Sequence, residues 1–426
     1  MNIYIILENA NRELEYKIIL AKKLVIHGHK VLIGEKNELR NKIKKLPPGL
    51  IIEKGIRKGS IDRFKEWKLK GHIITCFDEE ALTYRDDRQY FGTNCDKGIE
   101  KYVDIFFLAS RRHFDTVKRI FHKKKLIIIG IPKFELLKKP LNKIFTEKSN
   151  EFKKKYGNYI LITSRFGNVN YNQRKKIKQP ISIYGNYFLD SKKIFEKFKL
   201  IPNIINKIYP QSKIIIRPHP SENVGTWKKI VKKNKNCEVI YDDFLYAWIL
   251  GSKFTIQNRC STGIEAFMLK KKVFSFDPYY SRYPLHDIFS LIGKVFTDLK
   301  SINKKNIENK KNFNKLSTYN FMQYYIHNVK KDNSFNLVVK RINKVSEKKL
   351  TNKKKINIKF SLRDRIVDFK NRYFDLHFGF KKYSHQKIGN FSKKRIKDIL
   401  FSTDFFLRTR KKIKLDQVGK KIFLIQ

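Results

Sequence analysis

Short apolar runs rich in isoleucine recur along this chain with helix-period segments between them, and they do so in two series. The first series comprises residues 3–7, Lys30-Val31-Leu32-Ile33-Gly34, Leu50-Ile51-Ile52-Glu53, His72-Ile73-Ile74-Thr75-Cys76-Phe77, Asp104 to Leu108 and Leu126 to Gly130. Between its first two members, Leu14, Ile18, Ala21 and Val25 fall at helical spacing, and the helix is expected to end near Gly28. Runs this short and this apolar suit strands covered on both faces. Strands that alternate with helices need crossover connections, and therefore build parallel sheets. The second series starts at Tyr159-Ile160-Leu161-Ile162-Thr163 and continues with strands at 213–216, 238–241, 253–256 and 272–276. Helical stretches at 191–208, 225–233, 243–251 and 262–270 separate them. Residues 138–157, polar and lysine-rich, read as a linker or a connecting helix.

At 426 residues the chain exceeds what one core ordinarily supports. The expected fold class is α/β, with two Rossmann-like domains facing a cleft. The first domain spans 1–140 and the second 155–300, followed by a helical packing segment over 301–350 and a basic, aromatic C-terminal extension over 351–426.

Two motifs sit where strands of the second series end. Arg217-Pro218-His219-Pro220-Ser221-Glu222 follows the run Lys213 to Ile216. Ser261-Thr262-Gly263-Ile264-Glu265-Ala266 follows Phe254-Thr255-Ile256 and opens a helix. Ligands of open α/β sheets bind beyond the carboxyl ends of strands. Hydroxyls and backbone N–H groups at a helix start favour anions. Together the motifs point to a nucleotide and its phosphate. His219, held between Pro218 and Pro220, offers a ring donor for a phosphate or ribose oxygen. Arg217 adds charge near the phosphate or bridges to Glu222 within the loop. Ser261 and Thr262 either donate to the phosphate or simply cap the helix, and Asn258 and Arg259 stand just before them.

No metal is expected: Asp86-Asp87 and Asp242-Asp243 read as helix-start or surface residues, and the four cysteines have no zinc spacing. Their pattern fits a reduced, cytoplasmic setting. Walker, GxGxxG and GxSxG signatures are missing. The N-terminus lacks a charged region before its apolar run, and no run approaches the ~18 residues that span a bilayer. The 95 basic residues exceed the 39 acidic ones, giving a net charge of +56. An AT-rich coding sequence and attraction to an anionic inner-membrane surface both explain that excess. Nucleic acid has no support beyond charge. Phe360 to Phe369 is basic and amphipathic, as interfacial helices are, though an ordinary basic helix reads the same way.

Seven pieces in chain order resemble the bacterial surface carbohydrate biosynthesis proteins, which are similar to GT-B glycosyltransferases. They are Glu8 with Arg12-Glu13-Leu14, Gly28-His29-Lys30-Val31 to Gly34, Asp78-Glu79-Glu80, Gly130-Ile131-Pro132-Lys133, Ile160 to Phe166, Arg217 to Glu222 with Trp227, and Ser261 to Ala266. A narrower resemblance is to transferases that use CMP-sugars, such as sialyltransferases and Kdo transferases. It rests on Glu79-Glu80-Ala81, His219-Pro220 and Ser261-Thr262, and departs at Ala81, where those families have Gly.

The resemblance implies a metal-independent glycosyltransferase without a cofactor, peripheral to the cytoplasmic face of the membrane. Its second domain would hold a nucleotide-sugar donor, and its first a glycan or lipid-linked acceptor. Glu80 would be the general base, a role worth ~10²–10⁴-fold in rate, with Glu79 beside it raising its pKa. Glu8 would be catalytic or acceptor-binding, and Glu265 would hold ribose hydroxyls. Structural alternatives stand beside each role: an acidic helix start for Glu79 and Glu80, and for Glu8 an ion pair with Arg12 beside a capping Glu13. The alternatives at the level of function are a glycerol- or ribitol-phosphate transferase of teichoic-acid type, a nucleotide-sugar epimerase, and a noncatalytic basic scaffold that binds membrane or nucleic acid.

Overall fold

The computed structural model describes residues 1–78, 81–82, 84, 86–171, 181–241, 245–279, 292–309, 322–329, 333–348, 388, 391–407, 409 and 412–426, with 181–187 and 348 as backbone only. The chain forms two units, Met1–Leu136 together with Gln323–Gln426, and Leu137–Met322. Each is an α/β unit built on its own sheet.

In the first unit, β1 (Asn2–Leu7), β2 (Lys30–Glu35), β3 (Leu50–Glu53), β4 (Ile73–Phe77), β5 (Ile105–Leu108) and β6 (Leu126–Ile128) pair in parallel. Their order is β2-β1-β3-β4-β5-β6. β1, β3, β4 and β5 are buried along almost their whole length, as their unbroken apolar runs require. The helix Ala10–Ile26 starts at Asn9, whose side chain accepts the Asn11 N–H at 3.1 Å.

In the second unit, β7 (Ile160–Thr163), β8 (Ile214–Arg217), β9 (Cys237–Val239), β10 (Thr255–Gln257), β11 (Val273–Phe276) and β12 (Lys294–Phe296) form one wholly parallel sheet. Its order is β9-β8-β7-β10-β11-β12. Ile160, Ile162, Ile214, Ile216, Ile256 and Phe274 are wholly buried in one cluster. The stretch 138–157, expected as a linker or a connecting helix, is helical. It holds a 3₁₀ turn, Leu141–Phe145, and the helix Thr146–Tyr156, within the second unit. Phe152 stacks on Trp248 of the helix Leu245–Gly251 with ring centroids 3.8 Å apart.

The end of the chain departs from expectation. Within the region predicted as a basic extension, β13 (Leu415–Gly419) and β14 (Ile422–Ile425) form a hairpin that joins the first sheet. β14 pairs antiparallel with β2, Ile422 opposite Gly34 and Ile425 opposite Val31. An open β2 edge would leave backbone groups unpaired and apolar side chains exposed, and the hairpin covers both. The helix Lys393–Ser402 lies beneath, where the wholly buried Lys22 meets Thr403 Oγ1 at 3.1 Å and Asp404 at 2.6 Å. The segment 301–350 is likewise divided: Lys304–Glu308 belongs to the second unit and the helix Ser334–Lys348 to the first. Asn328 seats the returning chain by accepting the Ile131 N–H and donating to Glu135. Phe360 to Phe369 lies outside the described residues. Among the described residues no helix is long and apolar enough to cross a membrane.

Candidate functional site

Strand order turns around between β7 and β10 in the second sheet: the chain proceeds outward to β8 and β9 on one side and to β11 and β12 on the other. Such a switch point is where loops diverge and leave a crevice. Three loops converge there. The loop after β8 is organised by Glu222, which is wholly buried. Its carboxylate accepts from Ser164 Oγ at 2.9 Å, the His219 N–H at 3.0 Å and Trp227 Nε1 at 2.9 Å. These partners are neutral donors. Arg217, the other suggested partner of Glu222, ends β8 with 9% exposure. Burial pushes the Glu222 carboxyl above its ordinary 4.5, against the opposing pull of its donors. Gly167 is required for the fit, since a Cβ there would come within 2.0 Å of Ser221 Oγ.

His219 is half-buried at the turn. Its Nδ1 accepts the Ser221 N–H at 3.2 Å and lies 2.8 Å from Ser221 Oγ. A nitrogen that accepts a backbone N–H carries no proton, so the neutral ring holds its proton on Nε2, as a donor. Asn258 Oδ1 accepts the Arg165 N–H at 2.8 Å, and Arg165 donates to the Arg259 carbonyl at 2.9 Å. The loops after β7 and β10 are thereby joined across the switch point. Arg259, at φ 42°, faces inward, where Asp277 receives its guanidinium through two bonds at 2.5 and 2.6 Å.

Ser261 and Thr262 do not cap their helix. The cap position is Cys260, without a side-chain bond, so Ser261 is the first helical residue of Ser261–Met268. Thr262 Oγ1 lies 3.3 Å from Cys260 Sγ, and the Cys260 N–H is taken by Gln257. Gln257, on the strand before the helix, thus satisfies the cap residue's own N–H, the group that a Glu or Gln at the third helical position reaches in a capping box. Thr262, Glu265 and Asn258 are 5%, 3% and 4% exposed, while Ser261 is half-buried.

The first sheet has its own switch point, between β1 and β3. A polar cavity of about 200 Å³ opens at the carboxyl ends of these strands and of β4, with Glu8, Lys54 and Asp78 in its lining. Glu8 is bound by two lysines, Lys36 at 3.2 Å on one oxygen and Lys54 at 2.8 Å on the other. Glu13 accepts the Glu8 N–H at 3.0 Å and pairs with buried Lys17 at 2.7 Å.

Glu79 and Glu80 lie outside the described residues, whereas Asp78 immediately before them is well placed. It accepts from Tyr90 Oη at 2.8 Å, and Tyr90 Oη lies 2.9 Å from His113 Nε2. The Ala109 N–H donates to His113 Nδ1 at 3.4 Å, so donation runs from Ala109 through His113 and Tyr90 to Asp78. Burial, with Arg112 alongside, lowers the His113 pKa to about 3 and keeps the ring neutral. Sequence reasoning missed Tyr90 and His113, because each lies in a polar, charged stretch, Asp86 to Asn94 and Ser110 to Asp115, that gives no sign of burial. Of the acidic pairs, Asp86 caps a short helix through the Gln89 N–H at 2.8 Å and Asp87 pairs with Arg119 at 2.8 Å, while Asp242 and Asp243 lie outside the described residues.

No protein-family model and no curated protein matches the chain. Solved structures do resemble it. The UDP-GlcNAc 2-epimerase of Methanocaldococcus jannaschii aligns with a TM-score of 0.52 at 12% identity, covering 81% of this chain and 100% of that one. A second UDP-N-acetylglucosamine 2-epimerase aligns at 0.51 and 11% identity, covering 84% and 98%. Staphylococcus aureus MnaA, in a co-structure with UDP, gives 0.51 at 14% identity, covering 84% and 100%. At these identities the likeness is one of fold, and the fold is GT-B-like, with two parallel-sheet α/β units.

Proposed function

We propose that the chain is a glycosyltransferase, moving a sugar from a nucleotide-sugar, CMP-activated, to a surface-polysaccharide or lipopolysaccharide acceptor. The observation that carries this reading is the convergence of three loops on Glu222 and Asn258 at the second sheet's switch point, with the His219 ring proton on Nε2. In this reading His219, Arg217, Ser261 and Thr262 hold the donor phosphate, Pro220 fixes the turn, and Glu265 and Asn258 stand behind the ribose. The acceptor hydroxyl attacks the anomeric carbon and gives its proton to a carboxylate of the Asp78-Glu79-Glu80 run. The bond to the phosphate oxygen breaks, and the nucleotide leaves with the electron pair. No cofactor or metal is needed when donors of this kind offset the leaving charge. Glu8, held by two lysines, orients the acceptor.

Peripheral contact with an anionic membrane belongs to the same proposal. Phe401 and Phe405 are 81% and 82% exposed, and Lys397 precedes Phe401 by one helical turn. A nucleotide-sugar epimerase is the second reading, supported by the shared fold with the two 2-epimerases. Incubation with UDP-GlcNAc alone separates the two, because an epimerase forms product without an acceptor.

The primary test is thermal stabilisation of the full chain by CMP, CDP, UDP, GDP and ADP, with His219→Ala alongside. A ligand at a hundred times its Kd adds about 2.7 kcal/mol to the native state, which is ~5–10 °C for a unit of this size. The expected result is a selective CMP shift that His219→Ala removes. A shift with UDP instead would replace the donor, and no shift with any nucleotide would overturn the reading.

A further inference from the structure

At the edge of the second sheet a concavity of about 700 Å³ lies between the helix Ile201–Ile208, the end of the helix Val224–Val231 and the turn that leads into β9. Five lysines line it, Lys207, Lys229, Lys232, Lys233 and Lys235, and none of the lining residues is acidic. Lysine-rich composition alone does not explain this, since the chain carries 39 acidic residues against 95 basic ones. All five lysines are exposed, and among the described residues no ammonium group of the five is paired. The stretch 188–241, which supplies every lining residue, is described without a break. Its four acids are held elsewhere. Asp190 and Glu222 are buried, and Glu196 pairs with Lys199. Glu238 alternates with the core-packed Cys237 and Val239, and accepts from Tyr156 Oη.

Asparagines join the two sides of the concavity. Asn234 Nδ2 donates to Asn203 Oδ1 at 3.2 Å, and Asn236 Nδ2 to Asn206 Oδ1 at 3.0 Å, so the turn is tied to the first helix. Asn236 Nδ2 also donates to the Pro210 carbonyl at 2.8 Å, and Asn234 Oδ1 accepts the Asn236 N–H at 3.0 Å. These bonds use the amide oxygens of Asn203 and Asn206 and leave both NH₂ groups as donors. The turn that carries Lys233 and Lys235 is thus fixed in advance, and little ordering remains when a ligand arrives. Both helices end at the concavity, and their carbonyl ends offset roughly one unit of its positive charge. Most of the charge of five ammonium groups remains.

Unpaired cations and amide donors suit phosphate oxygens. Two features favour a lipid surface over a nucleic acid. The lining has no aromatic ring on which a base could stack, and no arginine fork. Leu200 is 50% exposed, and its carbonyl accepts the Ile204 N–H at 3.1 Å, so it continues the helical register one turn before Asn203. It therefore shares a face with Asn203 and Lys207. An exposed apolar side chain beside lysines is the combination that holds a helix at a bilayer interface. We infer that this concavity docks on the phosphate headgroups of an anionic bilayer. The inference rests on the membrane contact of the proposed function and assigns that contact a surface on the second unit. The concavity lies at the amino ends of β8 and β9, whereas Arg217 to Glu222 follow the carboxyl end of β8. Docking here leaves that crevice clear of lipid and open to a soluble donor.

The test is co-sedimentation of the full chain with vesicles of equal phosphatidylglycerol and phosphatidylcholine, against vesicles of phosphatidylcholine alone. The groove variant combines Lys229→Gln, Lys232→Gln and Lys233→Gln. The control combines Lys153→Gln, Lys154→Gln and Lys155→Gln, which removes the same charge from an exposed face of the same unit. A lysine at an anionic surface is worth roughly fivefold in partitioning, so the groove variant should bind anionic vesicles about a hundredfold more weakly. The control should stay close to wild type, and Leu200→Ser should weaken binding several-fold. Binding should fall as salt rises.

A groove variant that binds as well as wild type, or a control variant that loses as much as the groove variant, would overturn the inference. So would a single-stranded oligonucleotide that binds through these lysines while anionic vesicles do not. If Phe401→Ala with Phe405→Ala abolishes vesicle binding and the groove variant does not, the membrane reading stands and the groove falls. If wild type ignores anionic vesicles, both fall. If the groove variant alone loses the vesicles and no nucleotide stabilises the chain, the groove stands and the transferase reading falls.

Discussion

Glu222→Gln tests the architecture of the β8 corner directly. The native carboxylate presents two acceptor oxygens to the Ser164 hydroxyl, the His219 N–H and the Trp227 indole N–H. An amide keeps one acceptor and turns an NH₂ towards donors that cannot rotate away. Trp227 is wholly buried, and the His219 N–H is fixed by the turn between two prolines. The hydroxyl of Ser164 can reorient, so the loss falls on one of the two N–H groups. A buried donor left without an acceptor costs about 1–3 kcal/mol. Release of the carboxylate's own burial penalty, visible in its raised pKa, works in the opposite direction. The net expectation is roughly 1–2 kcal/mol, or about 2–8 °C in the Tm of this unit.

The pH dependence has a definite sign. A carboxyl raised above 4.5 in the folded state takes up its proton before the unfolded chain does. Its contribution to stability therefore grows as pH falls through the raised pKa towards 4.5 and is lost as pH rises through it. Urea titrations of wild type and Glu222→Gln at pH 7 and pH 5 should show the stability gap widening at the lower pH. A gap that narrows on acidification, or a variant as stable as wild type at both values, would refute the account of Glu222 as a desolvated carboxylate that holds the loops.

Two further outcomes follow from the same reasoning. Deleting residues 412–426 removes the hairpin that covers β2 and exposes the edge opposite Ile422–Ile425, so the truncated chain should aggregate in light scattering where the full chain does not. Asp96→Ala releases three backbone N–H groups from their shared acceptor, so it should loosen the 56–61 loop and lower the urea midpoint of the chain.

Much of the fold was legible because parallel strands buried on both faces leave unbroken apolar runs: β1, β3, β4, β7 and β8 each coincide with one. What escaped was structure whose meaning depends on a distant partner. Ile422-Phe423-Leu424-Ile425 is as apolar as β1, yet a run at the end of a basic tail gives no sign of an edge some four hundred residues away. β12 is only three residues, two of them partly exposed, and the stretch after it is asparagine- and lysine-rich. In the site, Arg217 to Glu222 was readable as a corner, but Glu222 passed for a loop residue. The groups that define its role, Ser164 and Trp227, lie on either side of it in sequence and meet only in the fold. The helix start at Ser261 misled by one position: Cys260 holds the cap, so Ser261 and Thr262 fall inside the helix.

The two switch points are solved by opposite electrostatic means, and this bears on which ligand each can take. At the second sheet Arg259 is paired with Asp277, Glu222 is held by neutral donors, and Arg217 stands at the end of β8. In the proposed function Arg217 supplies the charge, while N–H groups, hydroxyls and the His219 ring supply the direction. At the first sheet the described lining is dense in charge of both signs, Glu8 lies between Lys36 and Lys54, and Asp96 pins the loop that carries Arg57 and Lys58. Ion pairs of that kind weaken with salt, whereas the neutral hydrogen bonds around Glu222 do not depend on it. The same topological device thus yields two crevices of different electrostatic character.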